Sequence, residues 1–320
     1  MEQIETNTDF AKDVQTGLTS GTKSLSSKYF YDDTGSRIFQ DIMRMPEYYL
    51  TDCELEIFET QKQHIFESFT ESGDEFELIE LGAGDGMKTR ILLSYLLEKN
   101  CDFKYIPIDI SEDAVSNLVI DLELKLPELN IIGKVGDYFE LLNEKEFNGQ
   151  TKKILLFLGS NIGNYNYPDT LAFLSKLKEV MNPRDLLFIG FDMKKDSDII
   201  LKAYNDPHGH TAAFNLNLLQ RINDELDADF ILQNFKHREV YDSETGTAKS
   251  ELISIKNQSV EIKELNLTVS FEEGEAIFME ISQKYDTVMI NELAERSGFQ
   301  VVRNFFDKRL FFMNSLWKLK

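Results

Sequence analysis

Short apolar runs alternate with amphipathic helical patterns along the middle of the chain. Strand-like runs occupy residues 76–81, 103–109, 131–135, 153–159 and 186–192. Helical spacing of apolar residues occupies 87–98, 111–126 and 169–181. Apolar strands separated by amphipathic helices are typical of βαβ units, in which helices cover both faces of a parallel sheet. We therefore predict a doubly wound α/β fold.

The remainder of the chain departs from this alternation. Residues 193–285 combine a long helical stretch with alternating strand-like segments, which indicates an inserted α+β region. A helix (TVMINELAERSG) then precedes the strand-like runs FQVVRNFFD and LFFMNSLWKL. A short charged link joins these two runs, so we predict an antiparallel hairpin that closes the edge of the sheet.

Composition narrows the possible partners. The net charge of −22 and pI near 4.6 disfavour nucleic acid and membrane partners, because the summed field repels phosphates and anionic headgroups. Small zwitterions such as amino acids are not excluded as substrates, because their binding depends on the local pocket and not on the summed field of the protein. Cys53 and Cys101 have neither disulfide-framework nor metal-type spacing, which favours a reducing cytoplasm. The polar N-terminus and the absence of a run of roughly 20 apolar residues predict neither export nor membrane spanning.

The string ELGAGDG at 80–86 lies where the first strand meets the first helix. Gly82 and Gly84 let the backbone approach a ligand, and ligands of open parallel sheets bind outside the carboxyl ends of the strands. Asp109 ends the second strand and could accept both hydroxyls of a ribose. Ser111 is the better-placed helix cap, so we expect Asp109 to be left for the ligand.

The glycine spacing bears on the identity of the cofactor. A dinucleotide fold uses G-x-G-x-x-G to place a pyrophosphate on a helix N-terminus, whereas this turn has G-x-G-x-G after Glu80. An acid suits the cationic methionine end of S-adenosylmethionine better than a pyrophosphate. The ELGAGDG string looks like the first motif of class I methyltransferases, and Asp137 after the third strand could hold an adenine edge.

Longer strings carry a more specific resemblance. They are KYFYDDTGSRIFQDIMRMPEYYLT at 28–51, LGSNIGN at 158–164, AYNDPHGHTAAFNLNLLQRIN at 203–223 and MEISQKY at 279–285. Together with the glycine turn, they cover nearly the whole chain. On these strings the sequence resembles the histidine Nα-methyltransferase family of ergothioneine biosynthesis. Leu50, where a proline is expected, and Gln283 depart from the family pattern.

The resemblance implies roles for particular residues. Cofactor contacts fall on Gly82, Lys88, Asp109, Asp137 and Tyr138, to which the turn itself adds Glu80 and Gly84. Substrate contacts fall on Tyr31 and Tyr48 in the pocket wall, on Gly159, Asn164 and Tyr204 around the amino acid's backbone, and on Glu280 and Ser282 around the imidazole. Tyr31 and Asn164 are the candidate catalytic residues, and either Tyr31 or water could relay the proton.

The implied architecture is a Rossmann-like class I methyltransferase sheet with an α+β substrate-binding domain. We expect the substrate domain to comprise 1–60 and the insertion 196–286, and the cofactor domain to comprise 61–195 and 287–320. The implied reaction converts L-histidine to its Nα,Nα,Nα-trimethyl betaine, hercynine, in a cytoplasmic monomer. Alternatives are another amino acid substrate, a non-catalytic S-adenosylmethionine-binding protein, or an NAD-dependent oxidoreductase. His208 and His210 form only a weak H-x-H pattern, so no metal is predicted.

Overall fold

A computed structural model describes residues 8–70, 73, 75–143, 147, 149 and 151–320. The helices are α1 Thr8–Thr19, α2 Asp33–Met43, α3 Tyr49–Phe69, α4 Thr89–Glu98, α5 Glu112–Lys125, α6 Tyr138–Leu142, α7 Tyr167–Val180, α8 Ser197–Tyr204, α9 His210–Leu226 and α10 Thr287–Ser297. The strands are β1 Phe76–Leu81, β2 Phe103–Asp109, β3 Lys134–Val135, β4 Lys152–Phe157, β5 Leu186–Asp192, β6 Phe235–Asp242, β7 Thr247–Ser254, β8 Gln258–Ile262, β9 Leu267–Phe271, β10 Ala276–Gln283, β11 Phe299–Phe306 and β12 Phe312–Leu319.

These elements belong to two compact units. One unit contains the described residues up to Tyr49 together with Lys195–Ser282. The other contains Leu50–Lys194 and Gln283–Lys320. We call them the insertion unit and the sheet unit. The boundary expected at residue 60 falls inside α3, which continues without interruption to Phe69.

A seven-stranded mixed sheet organises the sheet unit, with the strand order β11-β12-β5-β4-β1-β2-β3. Neighbouring strands from β5 to β3 run parallel, and β12 is antiparallel to both β5 and β11. The predicted doubly wound sheet and closing hairpin are therefore confirmed. The chain passes from β1 to β2 and β3 on one side and then returns to β4 and β5 on the other. The order thus reverses between β1 and β4, which is where open α/β sheets bind ligands.

The central strands β1, β2, β4 and β5 are buried along nearly their whole length, because most of their residues are apolar. Leu155 of β4, Leu187 of β5 and Trp317 of β12 are fully buried in one continuous core. Full burial of an aliphatic side chain of this size is worth roughly 1.5 to 3 kcal/mol. The Trp317 indole nitrogen donates to Ser315 Oγ at 2.7 Å, so the ring is buried without an unpaired donor.

Two buried lysines begin β4. The Lys152 ammonium donates to the carbonyl of Phe69 at 2.7 Å, at the C-terminus of α3. The Lys153 ammonium donates to the carbonyl of Val180 at 2.9 Å, at the C-terminus of α7. Cations near the last carbonyls of a helix satisfy unpaired acceptors and interact favourably with the helix dipole. Both buried ammonium groups therefore have hydrogen-bond acceptors, and they lie at the end of the sheet opposite the glycine turn.

The third predicted strand is shorter than its pattern suggested. Only Lys134 and Val135 pair as β3, and Ile131 makes an isolated bridge with Tyr105. Gly133 lies against α5 so closely that a Cβ there would approach Val115 Cγ1 to 2.5 Å. Contact with the helix therefore takes precedence over strand pairing at this position.

A three-stranded sheet, β10-β7-β6, and a β8-β9 hairpin form the insertion unit with α1, α2, α8 and α9. Phe10, Phe30, Phe214 and Leu218 belong to its separate hydrophobic core. The α+β prediction for this region is confirmed. Among the helices of the described residues, none is long and apolar enough to cross a membrane.

Candidate functional site

The glycine turn projects from the carboxyl end of β1. Gly82 and Gly84 have φ angles of 72° and 54°, in the left-handed region that favours glycine. The Gly82 and Ala83 amides donate to the carbonyl of Ile108, which holds the turn against the end of β2. A Cβ built on Gly84 would have no heavy atom within 4 Å. The backbone at Gly84 is therefore open to close approach by a ligand.

Asp109 stands beside this turn at the end of β2. Its Oδ2 accepts the Gly84 amide at 3.1 Å, and its Oδ1 accepts the Ser111 amide at 3.1 Å. Ser111 caps α5 by accepting from the Ala114 amide at 3.2 Å, as predicted. The Asp109 carboxylate therefore also holds the turn, which the sequence did not predict, and its contact with the ribose stays a prediction. Each oxygen keeps a second lone pair with which it can accept a ribose hydroxyl.

Glu80 is buried beneath the turn, with 3% of its surface exposed. One carboxylate oxygen accepts from Thr89 Oγ1 at 2.7 Å, and the other accepts from the Tyr105 hydroxyl at 2.5 Å. Burial raises the pKa of Glu80 to about 7, while the hydrogen bonds from Tyr105 and Thr89 act in the opposite direction. These bonds tie β1 to β2 and α4, so Glu80 has a structural role. Its contact with the cofactor stays a prediction.

Asp137 and Tyr138 lie just beyond β3. Asp137 Oδ1 caps α6 by accepting the amides of Phe139 at 2.8 Å and Glu140 at 3.1 Å. The Tyr138 hydroxyl lies 2.9 Å from the Tyr165 hydroxyl, and burial raises the pKa of Tyr138. The cap therefore orients Asp137 at the same sheet edge as Asp109. The contacts of Asp137 and Tyr138 with the cofactor stay predictions.

Lys88 and Gly159 come together around a residue that the sequence did not single out. The fully buried carboxylate of Glu54 in α3 accepts from the Lys88 ammonium at 2.5 Å and from the Gly159 amide at 2.9 Å. Asn314 Nδ2 of β12 donates to the other carboxylate oxygen at 2.8 Å. The one available signal is that Glu54 shares the buried stripe of α3 with Ile57.

The loop 158–164 follows β4 and ends at Asn164, which is half-buried. Ser160 has a left-handed backbone, with φ of 61°, and its hydroxyl accepts the Asp192 amide at 3.0 Å. A Cβ on Gly163 would lie only 2.8 Å from the carbonyl oxygen of Gln283. Glycine is therefore required where this loop passes the backbone of Gln283, and the loop presents Asn164 from a fixed backbone.

An aromatic series in the insertion unit contains three of the predicted substrate residues. The Tyr31 ring lies 5.4 Å from that of Phe39, and the Phe39 ring lies 6.2 Å from that of Tyr48. Tyr48 in turn lies 6.1 Å from Tyr204, in an edge-to-face arrangement. Sequence reasoning missed Phe214, whose ring lies 5.4 Å from that of Tyr31. These rings form an aromatic wall in which the three tyrosines each carry a hydroxyl group.

Tyr204 also connects the wall to the strand that carries Glu280 and Ser282. Its hydroxyl lies 3.0 Å from Ser282 Oγ, and both residues are buried. Glu280 is half-buried two residues earlier in β10. His237 Nε2 lies 2.9 Å from the Tyr204 carbonyl, and burial lowers the pKa of His237. The structure thus brings Tyr48, Tyr204 and Ser282 together, with a neutral His237 behind them.

The histidines of the Pro-Gly loop do not form a metal site with their neighbours. The His208 and His210 rings lie 6.0 Å apart. Asp206 accepts the amides of His210 and Thr211 and so orders the start of α9. Within the described ranges, no group of three or more His, Cys, Asp or Glu side chains is arranged to hold a metal ion.

The groups at the carboxyl edge of the sheet suit S-adenosylmethionine. Asp109 keeps carboxylate lone pairs that could accept ribose hydroxyls, and the backbone at Gly84 is accessible. The Lys88 side chain is 20% exposed and could bind the carboxylate of the methionine end. Both contacts stay predictions. One crevice of the sheet unit therefore contains the Asp109 carboxylate as an acceptor, the Lys88 ammonium as a donor and the accessible backbone of Gly84.

Comparison with known proteins identifies the family. The sequence profile described as histidine-specific methyltransferase, SAM-dependent, matches residues 10–319. This chain belongs to that family. S-adenosylmethionine is accordingly its cofactor and a small amino acid its class of substrate. The mixed seven-stranded sheet is the fold expected for a class I member.

Named relatives of this methyltransferase cover most of its length. It is 34% identical to the histidine N-alpha-methyltransferase of Mycobacterium tuberculosis, over 93% of this chain and 91% of the relative. It is 36% identical to the protein of the same name from Mycolicibacterium smegmatis, over 89% and 87%. It is also 27% identical to ergothioneine biosynthesis protein 1 of Schizosaccharomyces pombe, over 88% of this chain but 37% of that longer protein.

Proposed function

We propose that this methyltransferase transfers methyl groups to the α-amino nitrogen of L-histidine and forms the Nα,Nα,Nα-trimethyl betaine, hercynine, as in ergothioneine biosynthesis. The observation that carries the proposal is the pairing of Tyr204 with Ser282 at 3.0 Å, two residues beyond Glu280 in β10. A carboxylate and a fixed hydroxyl on one strand can address the two nitrogens of an imidazole. The names of the two mycobacterial relatives support the same substrate.

Glu280 and Ser282 would discriminate between amino acid substrates, because only an imidazole side chain offers hydrogen-bonding partners to both of them. A half-buried carboxylate loses its solvent partners when an amino acid covers it. Histidine replaces them with a ring N–H, whereas leucine or phenylalanine replaces them with carbon. Leaving a charged hydrogen-bonding group unpaired costs about 2 to 5 kcal/mol. Ser282 gains orientation from the Tyr204 hydroxyl, so its Oγ meets the ring in a preset geometry.

Bound S-adenosylmethionine supplies an electrophilic methyl group on its sulfonium. The residues of the chain would bind and orient the amine so that its lone pair points at that methyl. Alignment of two bound reactants can be worth about 7 to 11 kcal/mol, so positioning accounts for most of the catalysis. Asn164 contributes both an amide donor and an amide acceptor for the amino and carboxylate groups.

A proton must leave the substrate nitrogen before each transfer. Tyr31 is exposed to 36% and carries a hydroxyl at the end of the aromatic wall. It could pass the proton to solvent, and water alone could do the same. No assigned step requires a metal. We also propose, from the sequence, that the enzyme is a monomer that works in the cytoplasm.

The test is product analysis by mass spectrometry with a panel of amino acids, including histidine, phenylalanine, tryptophan and leucine. Histidine should be trimethylated and strongly preferred. Glu280→Ala should lower kcat/KM for histidine by at least about tenfold, which corresponds to about 1.4 kcal/mol. It should also narrow the difference in kcat/KM between histidine and aromatic amino acids, because the Glu280 carboxylate no longer disfavours an apolar ring beside it.

Glu273→Ala is the matched control, since this glutamate is exposed in the turn before β10. It should leave the preference unchanged. A parent enzyme that prefers a substrate without an imidazole, or a Glu280→Ala variant that methylates histidine at the parental rate, would reject histidine as the substrate. The affinity for S-adenosylhomocysteine, measured in parallel, reports whether the cofactor site has been left intact.

A further inference from the structure

The crevice at the switch point of the sheet lies between the loops that follow β1 and β4. Lys88 comes from the first of these loops, as the residue just before α4, and Gly159 comes from the second. A Cβ on Gly159 would lie 3.5 Å from the Lys88 ammonium, so the two groups are neighbours. We propose that Glu54 is a positioning residue that orients the Lys88 ammonium for the methionine end of S-adenosylmethionine and fixes the backbone of the Gly159 loop beside it.

Glu54 reaches this crevice from outside the sheet. It lies in α3, has no exposed surface, and uses one carboxylate oxygen for the Lys88 ammonium at 2.5 Å and the Gly159 amide at 2.9 Å. Its second oxygen accepts Asn314 Nδ2 at 2.8 Å. Three elements that are distant in sequence therefore take their relative positions from one carboxylate.

The Glu54 carboxylate occupies space beside the middle of β5 that a side chain at Gly190 would otherwise fill. Gly190 lies between the buried residues Ile189 and Phe191. A Cβ on Gly190 would lie 2.6 Å from Glu54 Oε1 and 3.0 Å from the Phe312 ring. An apolar strand in a sheet core ordinarily has a side chain at every position, because glycine weakens a strand. The glycine is therefore explained by the room that the Glu54 carboxylate needs.

Stability alone accounts poorly for a buried pair of charges. The free energy needed to remove Lys88 and Glu54 from water is roughly offset by their mutual attraction. Apolar residues of similar volume often stabilise a core more than such an ion pair does. The pair has a consequence for ligands instead. Lys88 has three N–H donors, one of which points at Glu54, so the direction of the other two is fixed. A carboxylate group, such as that of the methionine end, is their natural acceptor.

Glu54→Gln tests the role, because glutamine keeps an acceptor for the Gly159 amide but removes the counter-charge of Lys88. We expect Kd for S-adenosylhomocysteine, measured by calorimetry, to rise by at least about tenfold, since one partner of a buried charged pair is lost. KM for S-adenosylmethionine should rise in parallel, while KM for the amino acid changes less. Glu56→Gln, two residues away on α3, removes the surface pair with Lys308 and should leave both constants unchanged.

A double-mutant cycle separates positioning from folding. If Glu54 acts through Lys88, then Glu54→Gln should weaken binding little further in a Lys88→Met background. Equal losses in both backgrounds would overturn the proposal. So would a folded Glu54→Gln enzyme with a lower Tm and an unchanged Kd, which is the signature of a purely structural residue.

Gly190→Ala provides a second approach, since its methyl group displaces the Glu54 carboxylate without changing any charge. It should raise Kd for S-adenosylhomocysteine in the same direction. If neither variant folds, Glu54 is a requirement of folding and the positioning role is overturned. The inference rests on the cofactor of the proposed function and not on histidine. A parent that binds S-adenosylhomocysteine but does not methylate histidine would therefore reject the substrate and leave this test valid.

Discussion

Glu80→Gln should remove a dependence of stability on pH that the parent shows between about pH 4.5 and 7. Glu80 is fully buried beneath the glycine turn, and burial raises its pKa from the ordinary value of 4.5 to about 7. Within this interval the folded protein keeps Glu80 protonated, whereas the unfolded chain ionises it. The unfolded state therefore binds fewer protons, and the free energy of unfolding falls as the pH rises.

The magnitude follows from the two pKa values. The interval from 4.5 to about 7, at ~1.4 kcal/mol per pH unit, corresponds to about 3 kcal/mol. Solvent screening does not reduce this value appreciably because the carboxylate is buried, with Thr89 and Tyr105 as its partners. Stability from the protonated form is complete below pH 4.5 and is lost by about pH 7. Glutamine has no such titration.

Urea denaturation at half-unit intervals from pH 4.5 to 8 would measure this effect. The useful quantity is the free energy of unfolding of the parent minus that of Glu80→Gln, since contributions from other titrating groups cancel. This difference should fall by about 3 kcal/mol across the interval and then become constant. Parallel pH profiles for the two proteins would refute the account.

Tyr105→Phe provides an independent check on the cause. The Tyr105 hydroxyl donates to Glu80 and lowers the pKa of that carboxyl, in opposition to burial. Its removal should raise the pKa of Glu80 further and move the upper end of the pH dependence above 7. A shift toward lower pH would show that the Tyr105 hydroxyl does not stabilise the ionised carboxylate of Glu80.

Two further outcomes concern the ligands. Asp109→Ala should weaken binding of S-adenosylhomocysteine by about 1 to 3 kcal/mol, because it removes an acceptor and releases the Gly84 amide. Calorimetry would measure this, and an unchanged Kd would remove Asp109 from the cofactor site. Methyl transfer should survive exhaustive chelation, since no assigned role uses a metal, and activity that disappears and returns with added zinc would overturn that assignment.

Local patterns were sufficient for much of the fold. The run FELIEL at 76–81 becomes β1 with the predicted limits, and the spacing after Ser111 becomes α5 with Ser111 as its cap. Both depend on residues that are adjacent in sequence, such as apolar alternation and a side chain that reaches an amide three positions away. The family resemblance likewise depended on contiguous strings, and the family profile over 10–319 confirms it.

Local patterns were less informative about how polar groups are used. Asp109 was expected to be left for a ligand, yet its carboxylate also accepts from Gly84, which is 25 positions away. Glu80 was matched to a cationic ligand, yet Tyr105 and Thr89 occupy its two oxygens. A carboxylate has several acceptor sites, and periodicity cannot say which donors occupy them.

The sequence by itself determined the alternation of strands and helices, the flexible glycine turn, the acidic surface and the family. Only the tertiary structure decided the strand order that puts β1 beside β4, and with it the meeting of Glu54, Lys88 and Asn314. Glu54 and Asn314 are 260 positions apart, and their bond forms only when α3 and β12 pack into the same core. Such contacts depend on the packing of whole elements, because burial makes an unpaired charge costly and so determines which distant donor a carboxylate must find.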